Sequence, residues 1–374
     1  MRPLLACLVF LLAIGPAAGA DPAAIERGLD LAGPGIRRAG VDLAEAMAIL
    51  KIPSVSIAVI EGGHLDYARA HGAASPRTLY QAASMSKLVA AVAALRLARE
   101  GRLALDATVD GALGWRLPDN SLGQKVTLRR LLSMRAGVGP PGYPGYAVGS
   151  ALPDLARILD GRAPSTEPPV TLEAVPGSRY LYSGGGYEIV EALIQQAAQE
   201  PFAAALERLV LGPAGMTDSH FAQPLPASLA EGAARGHGGD VTMLPGGWRV
   251  MPELAAAGLW STPSDLARLL VDLGRAWHGE SAAVLDRRLA REMLRAQEGG
   301  PYGLGAGIAG PDDAPVLMKR GQNIGYQGYL LLFPATGQGI VVMTGSDNGT
   351  TLAEAIIRRA AIAYGWPALP PLGD

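Results

Sequence analysis

The sequence predicts a mixed α/β (α+β) domain: one antiparallel sheet built from strands near both ends of the chain, flanked by helices, with a large helical region inserted between them. Three observations predict it. Apolar runs joined by tight turns lie at residues 55–70 and 328–344. Ala- and Leu-rich stretches of helical length fill the middle, separated by long Gly/Pro segments. Strand pairs at the two ends with helices between them join most simply in one sheet, leaving the middle as an insertion. The expected organisation is a leader over residues 1–20 and one domain over 21–374. Its sheet region comprises 21–83 and 300–374, and its helical region 84–299.

The first twenty residues read as an export signal. Arg2 supplies the positive start, Leu4 to Ile14 is apolar, Pro16 breaks the run, and Ala18-Gly19-Ala20 forms a small-residue cleavage site before Asp21. The apolar run is too short to span a bilayer comfortably, so cleavage is expected, with the product periplasmic or secreted and no membrane span left. The only cysteine, Cys7, sits inside this leader. Leu4-Leu5-Ala6-Cys7 loosely resembles a lipidation box, but the apolar run follows the cysteine instead of preceding it. The mature chain then holds no thiol, which excludes disulfides, cysteine nucleophiles and thiolate metal sites.

A short helix is expected around Val41 to Leu50. Val55 to Ile60 reads as a buried strand, Glu61-Gly62-Gly63 as a turn and His64 to Ala70 as its partner. Helices are expected over Met85 to Glu100, Leu128 to Met134, Glu188 to Gln199, Phe202 to Val210 and Pro263 to Trp277. Gly328 to Phe333 and Gln338 to Thr344 read as a second strand pair around Pro334-Ala335-Thr336-Gly337. A helix from Leu352 to Tyr364 closes the chain.

The 374 residues are 49% hydrophobic and 18% charged, enough to bury a sizeable core. Net charge is −2 and the arginines are scattered, so nucleic acid is not an expected partner. The five histidines are far apart and show no paired-ligand spacing, so no metal is expected. A Gly-x-Ser-x-Gly elbow and a phosphate-binding loop ending in Lys-Ser or Lys-Thr are both missing.

Ser84-Met85-Ser86-Lys87 carries the strongest chemical signal. Ser84 precedes a long helix, where unpaired N–H groups favour developing negative charge. Lys87 at i+3 shares its face. A serine hydroxyl needs a nearby base, and a lysine serves only if burial or a neighbouring cation makes it neutral. The alternative is a capping serine beside a solvated lysine. With 17 serines and four lysines, chance gives about 0.2 such spacings in the chain. A second signal is Tyr182-Ser183-Gly184-Gly185-Gly186-Tyr187, a Gly-rich turn that can present a phenol for proton relay, or a merely structural tyrosine. The third is Lys319-Arg320-Gly321, where a glycine on a strand edge lets a substrate lie close to the backbone. The N–H of Gln322 is then a candidate oxyanion donor with that of Ser84. An ordinary solvated Lys-Arg pair is the plain alternative.

In this order and at these separations the three motifs resemble the serine β-lactamase and penicillin-binding-protein superfamily, in its class C β-lactamase, D-peptidase and esterase branch, with Ser-x-x-Lys, Tyr-x-Asn and Lys-Thr-Gly or His-x-Gly. Ile52 to Ser56, Thr78 to Ser84, Val126 to Ser133, Leu211 to Thr217 and Gly258 to Leu266 resemble it too. The resemblance implies a β-lactamase/transpeptidase-like fold and acylation of Ser84. Lys87 and Tyr182 would share the proton work, and Lys319 would depress the Tyr182 pKa and hold a substrate carboxylate. Gly184, Gly321 and Gln322 would lie at the substrate. No cofactor is implied, and the expected partner is a small-molecule or peptide substrate.

Three positions depart from the pattern. Gly184 stands where asparagine is usual, which removes an amide that contacts β-lactam and peptide acyl groups. Arg320 replaces a small hydroxyl residue. Met134 replaces a histidine, an expected change of packing. The first expectation is therefore ester or amide hydrolysis, with D-amino-acid peptides among the substrates. A true β-lactamase or D-alanyl-D-alanine carboxypeptidase is the second, and a non-catalytic penicillin-binding sensor the third.

Overall fold

The computed structural model describes residues 21–109, 117 and 125–372. The leader, residues 1–20 with Cys7, lies outside the described residues. Ten elements frame the site: strands β1 (Ser54–Glu61) and β2 (His64–Gly72), helices α1 (Ser86–Arg99), α2 (Gly185–Ala198) and α3 (Pro263–His278), strands β3 (Gly307–Ala309), β4 (Val316–Asn323), β5 (Tyr326–Phe333) and β6 (Gln338–Thr344), and helix α4 (Gly349–Ala363).

The six strands form one antiparallel sheet in the order β2-β1-β6-β5-β4-β3. The two ends of the chain meet where β6 pairs with β1, Val341 opposite Ala58 and Val342 opposite Ile57. β1 is apolar on both sides because both faces are covered. Ala58, Ile60, Val341 and Met343 pack into the helical region with α3. Ile57, Val59, Ile340 and Val342 pack against α4 on the other face. The fold class expected from the pattern of strands and helices is the one observed.

α3 runs one residue beyond its expected end. The Thr262 hydroxyl caps the Asp265 N–H, Pro263 opens the helix and Gly279 ends it with a positive φ. Two boundaries differ in ways that bear on the site. α2 begins at Gly185, ahead of the expected Glu188, because the Ser183 hydroxyl accepts the Gly186 N–H at 2.7 Å. That cap and full burial outweigh the poor helix propensity of the glycines. α1 begins at Ser86, and Ser84 sits one step earlier in a 3₁₀ turn, Ala83–Met85. The stretch from Phe202 is helical to Leu206 and then widens into a π turn, Glu207–Leu211. A small hairpin, Leu29–Gly33 with Ile36–Val41, was not foreseen. No described helix is long and apolar enough to cross a membrane.

Candidate active site

The turn bearing Ser84 is pinned from three sides. The Ala82 N–H donates to the Leu259 carbonyl at 2.8 Å, and the Ser86 hydroxyl donates to the Ala83 carbonyl at 2.6 Å. The Asn323 amide donates to Gln81 Oε1 at 2.8 Å, tying β4 to the same turn. Ala83 has φ 49, an unfavourable value for a residue with a Cβ that persists where surrounding contacts over-determine the backbone.

Gly321 and Gly328 face each other across β4 and β5. A Cβ on Gly321 would lie 2.2 Å from the Ala82 carbonyl oxygen, and one on Gly328 2.5 Å from Met85 Cε. The glycine pair is thus a notch that seats the serine turn against the sheet. Gly321 was expected to make room for substrate; it makes room for Ala82.

Lys87 lies one helical turn after the serine and is 1% exposed. Its Nζ is 3.1 Å from Ser84 Oγ and 2.8 Å from the Ala256 carbonyl. The Tyr182 and Tyr187 rings are centred 5.2 and 5.6 Å from it. Lys319, on β4, is 6% exposed and donates to the Tyr182 hydroxyl at 3.1 Å. Lysines are almost never this buried unless paired, yet among the described residues neither forms a salt bridge.

Met134 fixes the tyrosine segment. Its carbonyl accepts the Leu181 N–H at 2.9 Å and its sulfur accepts the Ser183 N–H at 3.2 Å. The methionine in place of histidine therefore does more than fill space: it holds the residues on both sides of Tyr182.

Electrostatics follow from this burial. Desolvation pulls the Lys87 pKa below the usual lysine range, the Lys319 charge adds to that, and the Tyr182 oxygen works against it. Burial alone would push Tyr182 up. The positive charges of Lys319 and Lys87, with hydrogen bonds from Ser84 and Lys319, outweigh it and bring the phenol down to about 7. A lysine with weakened hold on its proton and an acidic phenol thus stand together beside a serine hydroxyl.

These groups open into a cleft of about 660 Å³, a size suited to a small molecule or short peptide. Ser84, Lys87, Tyr182, Lys319 and Gln322 border it, with apolar surface from Tyr143 and Tyr302. β3 pairs only with Val316 to Met318, so Lys319 to Asn323 form an open strand edge. The two-residue turn after Asn323 makes Asn323 and Tyr326 the closing pair. Ladder alternation then aims the Gln322 N–H out of the hairpin, toward that edge. Arg320 alternates to the face opposite Lys319, where its guanidinium donates to the Thr350 hydroxyl at 3.4 Å.

Gly184 does not border the cleft, contrary to its expected place at the substrate. It is buried behind the Pro141-Gly142-Tyr143 segment; a Cβ there would meet the Tyr143 ring at 3.0 Å and Gly142 Cα at 3.1 Å. Its N–H and that of Gly185 both donate to the Pro140 carbonyl at 2.9 Å. Sequence reasoning also missed the Ala256 carbonyl that meets Lys87 and three buried glutamates, Glu188, Glu191 and Glu253. None stands in a motif, and only the fold buries them. Among the described residues no group of three or more His, Cys, Asp or Glu is arranged to hold a metal.

Comparison with known proteins is decisive for the family. The Beta-lactamase family model matches residues 42–364. The chain belongs to the Beta-lactamase family. Esterase EstB of Burkholderia gladioli is 29% identical over 298 residues, 68% of this chain and 73% of that protein. Protein flp of Staphylococcus aureus (strain COL) is 24% identical over 316 residues, 79% of this chain but only 60% of that protein's length. Among solved structures, the D-amino acid amidase from Ochrobactrum anthropi SV3 superposes with a TM-score of 0.68 at 20% identity, covering 86% of this chain and 96% of that one. The octameric penicillin-binding protein homologue from Pyrococcus abyssi gives 0.66 at 23% identity, covering 87% and 76%. These structural likenesses establish the Beta-lactamase-family fold.

Proposed function

We propose that this Beta-lactamase-family protein is an exported serine hydrolase that forms an acyl-enzyme on Ser84 and hydrolyses ester or amide bonds of small acyl compounds, D-amino-acid derivatives included. The observation that carries the reading is the contact of Ser84 Oγ with a lysine amine that burial makes a base. As a neutral amine, Lys87 donates one N–H to Ala256 and uses its lone pair to take the Ser84 proton. The serine oxygen attacks the substrate carbonyl. The N–H groups of Ser84 and Gln322 receive the oxyanion. Tyr182, lying between the two lysines, carries a proton to the leaving group, and Lys319 keeps that phenol acidic. Water, activated by the same groups, releases the acyl chain and restores Ser84.

Ester and amide substrates are favoured over β-lactams because Gly184 offers no side-chain amide and faces the protein interior. The names of two relatives, an esterase and a D-amino acid amidase, support the same class. Export rests on the leader pattern of residues 1–20; N-terminal sequencing of the exported protein should begin at Asp21.

The test is a substrate panel of p-nitrophenyl esters, D-amino-acid amides and a chromogenic cephalosporin, run on the wild type and Ser84→Ala. Ester or amide turnover abolished in Ser84→Ala supports the reading. Turnover confined to the cephalosporin, or labelling without any turnover, would replace it with a β-lactamase or a sensor.

A further inference from the structure

Behind Lys87 lies a bank of three carboxyl groups that the reaction above leaves unused. Glu188 and Glu191 stand one turn apart on α2, and Glu253 immediately precedes the short helix Leu254–Ala257, which carries the Ala256 carbonyl bound by Lys87. All three are at most 3% exposed. Glu191 is satisfied: it accepts the Ala255 N–H at 2.9 Å and the Gln195 amide at 3.3 Å. Neither Glu188 oxygen makes a hydrogen bond of ordinary geometry; only the Ala256 backbone acts on it, and a buried amine lies in the same interior. A carboxylate so poorly supplied with donors is costly there, whereas a neutral acid is tolerated.

The groups that act on Glu188 come from every element around it. Glu191 lies on its own helix and Glu253 on the neighbouring turn, and both oppose its ionisation. Lys87 on α1 and the backbone of Ala256 favour ionisation. Tyr143, from the cleft wall, has a buried hydroxyl with no partner and feels Glu188, Glu253 and Glu167. Burial comes first among these influences and holds Glu188 well above the usual carboxylate range. In turn, negative charge on Glu188 raises the proton affinity of Lys87.

We propose that Glu188 is a positioning residue for the acylation of Ser84: a buried carboxyl behind Lys87 whose charge decides how firmly that lysine holds its proton. Kept neutral chiefly by burial, with Glu191 and Glu253 adding to it, the carboxyl leaves Lys87 free to act as base. When ionised, it favours the ammonium form and silences the lysine. This inference rests on the acyl-enzyme reading given above. The two fail separately, because Ser84→Ala tests that reading and leaves Glu188 untouched.

The experiment is the burst of p-nitrophenol from a p-nitrophenyl ester, followed between about pH 5 and 9 for the wild type, Glu188→Gln and Glu188→Asp. Thermal melts select the variants that fold. Glu188→Gln has the shape of the neutral acid and cannot ionise. Its acid limb should stay in place, because the wild-type carboxyl is already neutral there, and its alkaline limb should move to higher pH by about half a unit or more. At one unit above the wild-type alkaline midpoint, that makes its fractional rate about two- to threefold higher. Glu188→Asp keeps an acid on a shorter stem, and should shift in the same direction by less. A purely structural glutamate would lower the rate equally at every pH and leave both midpoints in place. An alkaline limb unmoved in the folded variants, or moved to lower pH, would overturn the proposal.

Discussion

Lys319 donates to the Tyr182 hydroxyl at 3.1 Å across 137 residues of chain, and this contact joins the strand edge to the Gly-rich turn. Lys319 is also the largest source of the positive charge that brings the phenol down to about 7. Lys319→Met should return Tyr182 toward the ordinary tyrosine range. At pH 7, kcat/KM for a neutral ester should fall about 10²-fold, because a phenol of ordinary acidity hands its proton to the leaving group less readily, and the alkaline limb of the profile should move to higher pH. A pH–rate profile checks this. A loss that is the same at all pH values would assign Lys319 to binding alone.

The notch at Gly321 gives a stability prediction. A methyl group there must displace the Ala82 carbonyl, 2.2 Å from the added Cβ, and with it the serine turn. Gly321→Ala should cost about 1–3 kcal/mol and lower activity together with melting temperature. Denaturant unfolding of the variant measures the first quantity directly.

Gly184 gives the opposite kind of prediction. Restoring the asparagine usual at this position should not create β-lactam turnover, since the side chain would be driven into Tyr143 and Gly142. Gly184→Asn should lose stability and gain no cephalosporin hydrolysis. Steady-state assays with a chromogenic cephalosporin decide the point.

The buried glutamates make folding depend on pH. Glu191 is pushed by burial from 4.5 to about 8, and Glu253 likewise to about 7. A carboxyl raised in the folded state binds more protons there than when unfolded. Its stabilising contribution is complete below about 4.5 and is lost as pH rises through about 7 to 8. Glu191→Gln should therefore narrow the difference in melting temperature between about pH 5 and about pH 8. Calorimetry at the two pH values measures it.

Much of this was legible in the residues. β1 and β6 announced themselves as apolar runs beside turns, and Ser84 and Lys87 by a spacing that a helix converts into contact. What escaped reading depends on tertiary contacts. Nothing local shows that Gly321 faces Ala82 and not a ligand, because the serine turn arrives from more than two hundred residues away. Gly184 resembled a cleft residue by its place in a motif, yet the Pro141 to Tyr143 segment covers it. The start of α2 was placed too late because Gly184 to Gly186 read as a turn, and the Ser183 cap that makes them helical shows only in the fold. Glu188 and Glu191 looked like ordinary polar positions on a helix, since burial of a carboxyl leaves no trace in spacing.

The account stands on Ser84 Oγ as the atom that becomes acylated. Mass spectrometry of the protein after reaction with a fluorophosphonate, followed by peptide mapping, tests it most directly. A single adduct on the peptide carrying Ser84, missing in Ser84→Ala, is the result expected. An adduct on another residue, or ester hydrolysis at the wild-type rate by Ser84→Ala, would contradict it.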